Sequence, residues 1–105
     1  MDEGIIVITT TETKEDAEKL AEEIITNKLG TCVQIEGPIM SVYRWHGKVQ
    51  RSKEFRMQIK TIKSKFQDLD ELIRNVHPYE VPEVVALPIV DGSKTYLNWL
   101  VDEIK

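Results

Sequence analysis

The sequence predicts an α+β fold in which an antiparallel sheet carries its two main helices on one face. Apolar and β-branched stretches alternate with stretches of helical period in the order strand, helix, strand, strand, helix, strand. A turn at His46, Gly47 and Lys48 joins the two middle strands as a hairpin. Right-handed crossovers then place both intervening helices on the same side of the sheet.

Each element has a local reason. From Gly4 to Thr10 the run Ile5, Ile6, Val7, Ile8 is apolar on both faces, which predicts a central strand. Thr11 or Thr13 can cap the next helix, Glu15 and Asp16 suit its first turn, and Ala17, Leu20, Ala21, Ile24 and Ile25 form its buried stripe. Gly30 is expected to end it. Cys32 to Trp45 reads as a long strand broken at Gly37 and Pro38, where a bulge or bend is expected. The return strand alternates Phe55, Met57 and Ile59 with Glu54, Arg56, Gln58 and Lys60. Ser64 and Gln67 have capping-box spacing ahead of Phe66, Leu69, Leu72, Ile73 and Val76, and His77 and Pro78 stop that helix. Val84 to Leu87 is again apolar on both faces, with Pro88 at its end or on an edge. Asp91, Gly92 and Ser93 turn and cap a last helix carrying Tyr96, Leu97, Leu100, Val101 and Ile104.

The order is that of a ferredoxin-like βαββαβ sandwich with an added C-terminal helix and a long β2–β3 hairpin, in one domain spanning residues 1–105. Helices cover only one side of such a sheet, yet its first and last strands are apolar on both. A homo-oligomer, with another copy covering the second face, is therefore expected.

A chain of 105 residues can bury roughly two thirds of its unfolded surface, enough for a real core. With 41% hydrophobic and 30% charged residues, the composition excludes disordered, collagenous and membrane-spanning classes. The acidic start, Met1, Asp2, Glu3, offers no basic leader segment, and Cys32, the single cysteine, fits a reduced compartment, so a cytoplasmic address is expected. The net charge of −4 conceals a basic block: residues 44–65 carry 8 Lys and Arg against 1 acidic side chain. That block reads as a Lys-rich strand edge, as ion pairs to acidic groups nearby, or as an anion site. The acidic whole and the scarcity of aromatics within the block argue against nucleic acid.

No phosphate loop, helical His pair or acyl-transfer serine motif is present, and no nucleophile, base and orienting group stand together, so no enzyme is expected. His77 reads either as a group capping the second helix or as a ligand, and His46 either as a solvated turn residue or as a metal ligand. Cys32 reads as a small buried hydrophobe or as a soft ligand suited to copper or zinc, which Glu54, Glu80 or Glu83 would complete only through the fold.

Two segments are specific: Tyr43-Arg44-Trp45-His46-Gly47-Lys48, and His77-Pro78-Tyr79-Glu80-Val81-Pro82-Glu83 leading into Ala86-Leu87-Pro88-Ile89. In them, and in Thr31-Cys32-Val33, Ile59-Lys60-Thr61 and the Tyr96 to Trp99 helix, the chain resembles the CutA divalent-cation tolerance family. The resemblance implies a tight homotrimer similar in architecture to the PII signalling regulators, its hairpin reaching onto the neighbouring subunit. It further implies a role in tolerance to divalent ions, copper above all. Carried over by position, it offers Cys32, Trp45, Lys60, His77, Tyr79 and Glu80 as candidates for a pocket between subunits. Taken with the residue chemistry above, the expected metal ligands are Cys32, His77 and His46, the expected pocket is Trp45, Lys60, Tyr79, Glu80 and Glu54, and the expected interface anchors are Tyr43, Trp45, Pro78 and Pro82. Thr31, Gln34, Arg56 and Gln58 depart from the family's usual residues. The readings that follow are a non-enzymatic copper-binding or other divalent-metal-binding trimer, a PII-like regulator taking a small anionic ligand between subunits, and a structural trimeric scaffold. None of them uses nucleic acid or a membrane.

Overall fold

The computed structural model describes residues 3–105; the reading of Met1 and Asp2 lies outside them. The elements are β1 (Gly4–Thr11), α1 (Lys14–Thr26), β2 (Cys32–Trp45), β3 (Lys48–Ile62), a 3-10 turn (Lys63–Lys65), α2 (Phe66–Val76), β4 (Val85–Pro88) and α3 (Lys94–Asp102). The four strands form one sheet in the order β2-β3-β1-β4, every neighbouring pair antiparallel. β1 is central, as its two apolar faces require, and β4 is a short edge strand.

Register assigns each side chain to a face. Val7 pairs with Ile59, Thr9 with Met57 and Val33 with Ile59, so Ile5, Val7, Met57 and Ile59 share the face that meets Ala17, Leu20 and Ile24 of α1 and Leu69 and Ile73 of α2. These side chains are almost entirely withdrawn from water, and each large one contributes about 1.5–3 kcal/mol of transfer free energy. The opposite face carries Ile6, Ile8, Cys32, Gln34, Glu36, Arg56, Gln58 and Lys60. α3 covers one end of it, where Leu100 and Ile104 pack on Ile62 and the Thr31 hydroxyl donates to the Leu100 carbonyl. Ile6 and Ile8 are left half-buried, and Val85 and Leu87 remain 45% and 49% exposed.

Thr13 is the α1 cap, its hydroxyl accepting from the Asp16 N–H at 3.0 Å. Gly30 does not end that helix, which stops at Thr26; Asn27 caps it and Lys28 takes the left-handed backbone, at φ 56°. A Cβ on Gly30 would instead lie 2.8 Å from Ile59 Cγ2, so the residue is small because a helix exit passes close over the sheet. The Ser64–Gln67 capping box does not cap α2. Ser64 lies inside the 3-10 turn, and the cap position falls on Lys65, whose backbone is already helical and whose side chain makes no capping bond.

The expected bulge is present. The β2–β3 register slips between Glu36 and Ile39 around a cis Gly37–Pro38 bond. Beyond it the two strands continue as a free ribbon to a two-residue turn at His46 and Gly47, both with positive φ. This ribbon extends the chain to 44 × 25 × 22 Å and raises the radius of gyration to 14.3 Å. A compact chain of this length would show about 13 Å.

Candidate functional site

The segment after α2 is fastened to β1 by one side chain. His77 follows the last turn of the helix, and its backbone N–H closes on the Ile73 carbonyl. Its buried ring points back under the sheet edge, where Nδ1 accepts the Tyr79 N–H at 3.1 Å. A nitrogen that accepts carries no proton in the neutral ring, which assigns the proton to Nε2. Nε2 then donates to the Thr10 carbonyl at 2.6 Å. Both ring nitrogens are thus engaged by backbone groups.

The clasp positions Tyr79. Its ring lies 4.5 Å from the imidazole, and its hydroxyl donates to Glu54 Oε2 at 3.1 Å. Glu54 is buried, with only 8% of its surface exposed, although it begins the part of β3 that leaves the main sheet. Burial, with help from the Glu54 carboxylate that accepts its proton, holds the Tyr79 hydroxyl well above the ordinary tyrosine range; Glu12 and Tyr43 add to the shift.

These groups line a groove of about 960 Å³ between the base of the hairpin and the 77–83 segment. One wall carries Thr10, Glu12 and Thr13; the hairpin supplies Ser41, Tyr43, Trp45, Ser52, Lys53 and Glu54; and Tyr79, Glu80, Val81 and Glu83 close the other side. Four of the expected pocket residues, Trp45, Tyr79, Glu80 and Glu54, therefore meet here. The fifth, Lys60, does not. It lies opposite Cys32 on the uncovered sheet face, its ammonium 5.6 Å from the Tyr96 ring centroid.

The three soft donors occupy three separate places. Cys32, half-buried, starts β2; His46 is at the hairpin tip with its ring 4.6 Å from that of Trp45; His77 is in the clasp. Cys32 opens the 14-residue strand β2 and His46 follows its far end, which sets them on the order of 40 Å apart. Among the described residues of one chain, no three His, Cys, Asp or Glu side chains converge as a metal site.

The basic block is spread along the hairpin. β3, which carries most of it, is flanked by β1 only from Phe55 onward, so Lys48, Arg51 and Lys53 lie on the ribbon's open edge while Arg56 and Lys60 lie inside the sheet. Arg56 pairs with Glu36 across β2 and β3 at 3.1 Å, and Gln58 donates to the same oxygen at 3.3 Å. Among the described residues Arg44, Lys48, Arg51 and Lys53 make no ion pair, so the distal ribbon presents bare positive charge. No helix among the described residues is long and apolar enough to cross a membrane.

Glu12, Ser41, Ser52 and Lys53 are site residues that residue type alone did not single out. The signal for Ser41 and Ser52 is register. Counting the bulge as one slip puts Ser41 opposite Ser52 and Ile39 opposite Glu54, and alternation then aligns Ser41, Tyr43, Ser52 and Glu54 on one side of the ribbon.

The same architecture occurs in known proteins. CutA1 from Oryza sativa superposes with a TM-score of 0.95 at 43% identity, covering 99% of this chain and 95% of that one. The divalent cation tolerance protein of Thermus thermophilus gives 0.94 at 36% identity, over 97% and 99%. In sequence, the chloroplastic CutA of Arabidopsis thaliana is 47% identical over 97 residues, 92% of this chain and 53% of the relative. The Thermus thermophilus protein is 39% identical over 95 residues, 90% and 92%. The chain thus spans about half the length of its plant relatives and nearly all of the Thermus one. Relatives include proteins named chloroplastic and one named periplasmic, so family membership does not carry the cytoplasmic address with it. The sequence profile of the family described as CutA1 divalent ion tolerance protein matches residues 5–103, and with the fold and these relatives it establishes that the chain belongs to the CutA1 divalent ion tolerance family.

Proposed function

We propose that this protein works as a non-enzymatic divalent-cation tolerance protein whose functional unit is a homotrimer of one-domain subunits, acting in the cytoplasm. The observation that carries the reading is the uncovered sheet face. Val85 and Leu87 stand half exposed beside Ile6 and Ile8, and the protruding ribbon adds Met40, Val42 and Val49, all more than half exposed. Apolar surface on this scale is characteristic of association, and a copy that lays its ribbon on a neighbour buries both patches at once. Tyr43, Trp45, Pro78 and Pro82 anchor that contact in this reading.

Copper or another divalent ion enters between copies. Cys32 and His46 are the soft donors the fold leaves reachable, and a ribbon reaching across to a neighbour is the one route that brings such distant side chains together. His77 serves as the clasp. A small anion is disfavoured in the groove by Glu12, Glu54, Glu80 and Glu83, which argues against the PII-like alternative at that place.

Sedimentation equilibrium tests the assembly: the expected mass is three times the 12.1 kDa of one chain, and Leu87→Glu is expected to reduce it to one. Titration with Cu(I) tests the ions. Binding lost in Cys32→Ala and in His46→Ala but kept in His77→Asn supports ligands shared between copies; loss only in the His77 variant overturns it.

A further inference from the structure

The ribbon leaves the subunit at a level where little holds it. β1 ends at Thr11, opposite Phe55, so from Glu54 outward β3 has β2 as its one neighbour. At the same level the β2 register slips between Glu36 and Ile39, and Ile39–Glu54 is the first pair beyond the slip. A bulge interrupts the ladder and bends the strand, and two strands with no third strand or helix against them are only marginally rigid. The base of the ribbon is therefore a hinge.

One side-chain bond crosses it. Among the described residues, the Tyr79 hydroxyl on Glu54 Oε2 is the single side-chain hydrogen bond or ion pair joining residues 39–54 to the rest of the subunit; the Tyr43–Ser52 and Arg44–Gly47 bonds stay within the ribbon. Tyr79 is itself tethered to the sheet, because the His77 ring that accepts its N–H is bonded to the Thr10 carbonyl, one residue before the end of β1. The path Thr10–His77–Tyr79–Glu54 thus runs from the central strand to the first residue of the ribbon, and the burial of Glu54 keeps water from competing for the last bond. We propose that the Tyr79–Glu54 bond is a brace across the hinge, which fixes the direction in which the ribbon projects and so preorganises it to dock on a second copy. A segment already held in its bound direction loses less conformational freedom on association, so the brace strengthens assembly without touching the partner. Its consequence rests on the assembly reading above, whereas the brace itself is a property of one chain.

The test reads ribbon order and association separately. In the full chain carrying Leu87→Glu to separate the copies, ¹⁵N relaxation order parameters at residues 40–52 should fall from about 0.85, the rigid value, to below about 0.6 on Tyr79→Phe, with residues 5–8 and 57–61 unchanged. Glu54→Leu should act alike, the double variant should loosen the ribbon no further than either change alone, and Glu54→Gln, which keeps an oxygen for the hydroxyl, should retain order. Amide exchange of the same residues without Leu87→Glu is the second readout, should that change disturb the fold. Sedimentation of Tyr79→Phe in the otherwise unaltered chain should show association weakened about tenfold. Unchanged ribbon order in both Tyr79→Phe and Glu54→Leu overturns the brace whatever the mass does, since weakened assembly alone would make Tyr79 a contact residue. A loosened ribbon with undiminished association overturns the docking role. A parent that sediments as a monomer refutes the assembly reading instead, and relaxation of the parent against Tyr79→Phe then decides the brace by itself.

Discussion

The imidazole of His77 joins the Thr10 carbonyl to the Tyr79 N–H, bridging β1 and the segment beyond α2 across 67 residues of sequence. Removing the ring would leave both backbone groups without their partner in a buried place. Each such group costs about 1–3 kcal/mol. His77→Ala should therefore destabilise the fold by about 2 kcal/mol or more, read from urea denaturation. The loss should come with faster amide exchange at Tyr79, since the clasp holds that N–H. An unchanged midpoint would show that water replaces the ring without cost.

Much of the fold was legible because local chemistry and tertiary packing agree. The period-two stretch around Met57 and Ile59 has one physical solution, which the structure adopts; between Thr11 and Thr13 it takes Thr13 as the cap, and at Gly37–Pro38 it takes the bulge. The start of α2 was not legible. Ser64 has the right spacing to Gln67, but β3 runs to Ile62 and the chain must turn at once, so residues 63–65 wind as a 3-10 turn and move the cap to a lysine. At the site, the family resemblance pointed to Tyr79 and Glu80, but residue type did not give the meaning of His77. Whether an imidazole caps, ligates or clasps depends on which backbone groups a distant strand brings to its two nitrogens.

Thr9 faces the helix-covered side of β1, fully buried, and its hydroxyl is without a hydrogen-bond partner among the described residues. An unmatched buried hydroxyl is a standing cost, and valine has nearly the same shape. Thr9→Val should raise stability by about 1 kcal/mol, at the lower end of the penalty for such a group. Thermal and urea denaturation measure it, and a loss of stability would mean that the hydroxyl has a partner, such as a buried water.

Gly30 is fixed by proximity rather than by backbone conformation. An alanine Cβ there would approach Ile59 Cγ2 to 2.8 Å and Ile24 Cγ2 to 3.0 Å, and both isoleucines are fully buried. Neither can give way without moving α1 off the sheet. Gly30→Ala should cost about 1–3 kcal/mol, as overpacking in a dense core does. The double variant Gly30→Ala with Ile59→Ala should be more stable than the sum of the two single changes predicts, because alanine lacks the Cγ2 that the new Cβ would meet. A double variant less stable than the sum of the two single changes would contradict the steric account.

The last prediction concerns alkali. Tyr79 has its ionisation pushed upward chiefly by burial and then by the hydrogen bond to Glu54, so the folded protein retains the phenolic proton more tightly than the unfolded chain does. Where the native state binds more protons than the unfolded state, stability falls as pH rises. The contribution of this tyrosine is complete below about pH 10, the ordinary tyrosine value, and is lost progressively as pH climbs toward the raised folded value. Tyr79→Phe cannot show that loss. Its stability should decline less steeply than the parent's above about pH 10, and tyrosinate absorbance should lose its latest-titrating component. The same variant leaves Glu54 without its hydroxyl donor, so below that pH it should be less stable than the parent by about 1 kcal/mol. The two denaturation curves are therefore expected to converge with rising pH, and parallel curves would mean that the Tyr79 hydroxyl is open to solvent in solution.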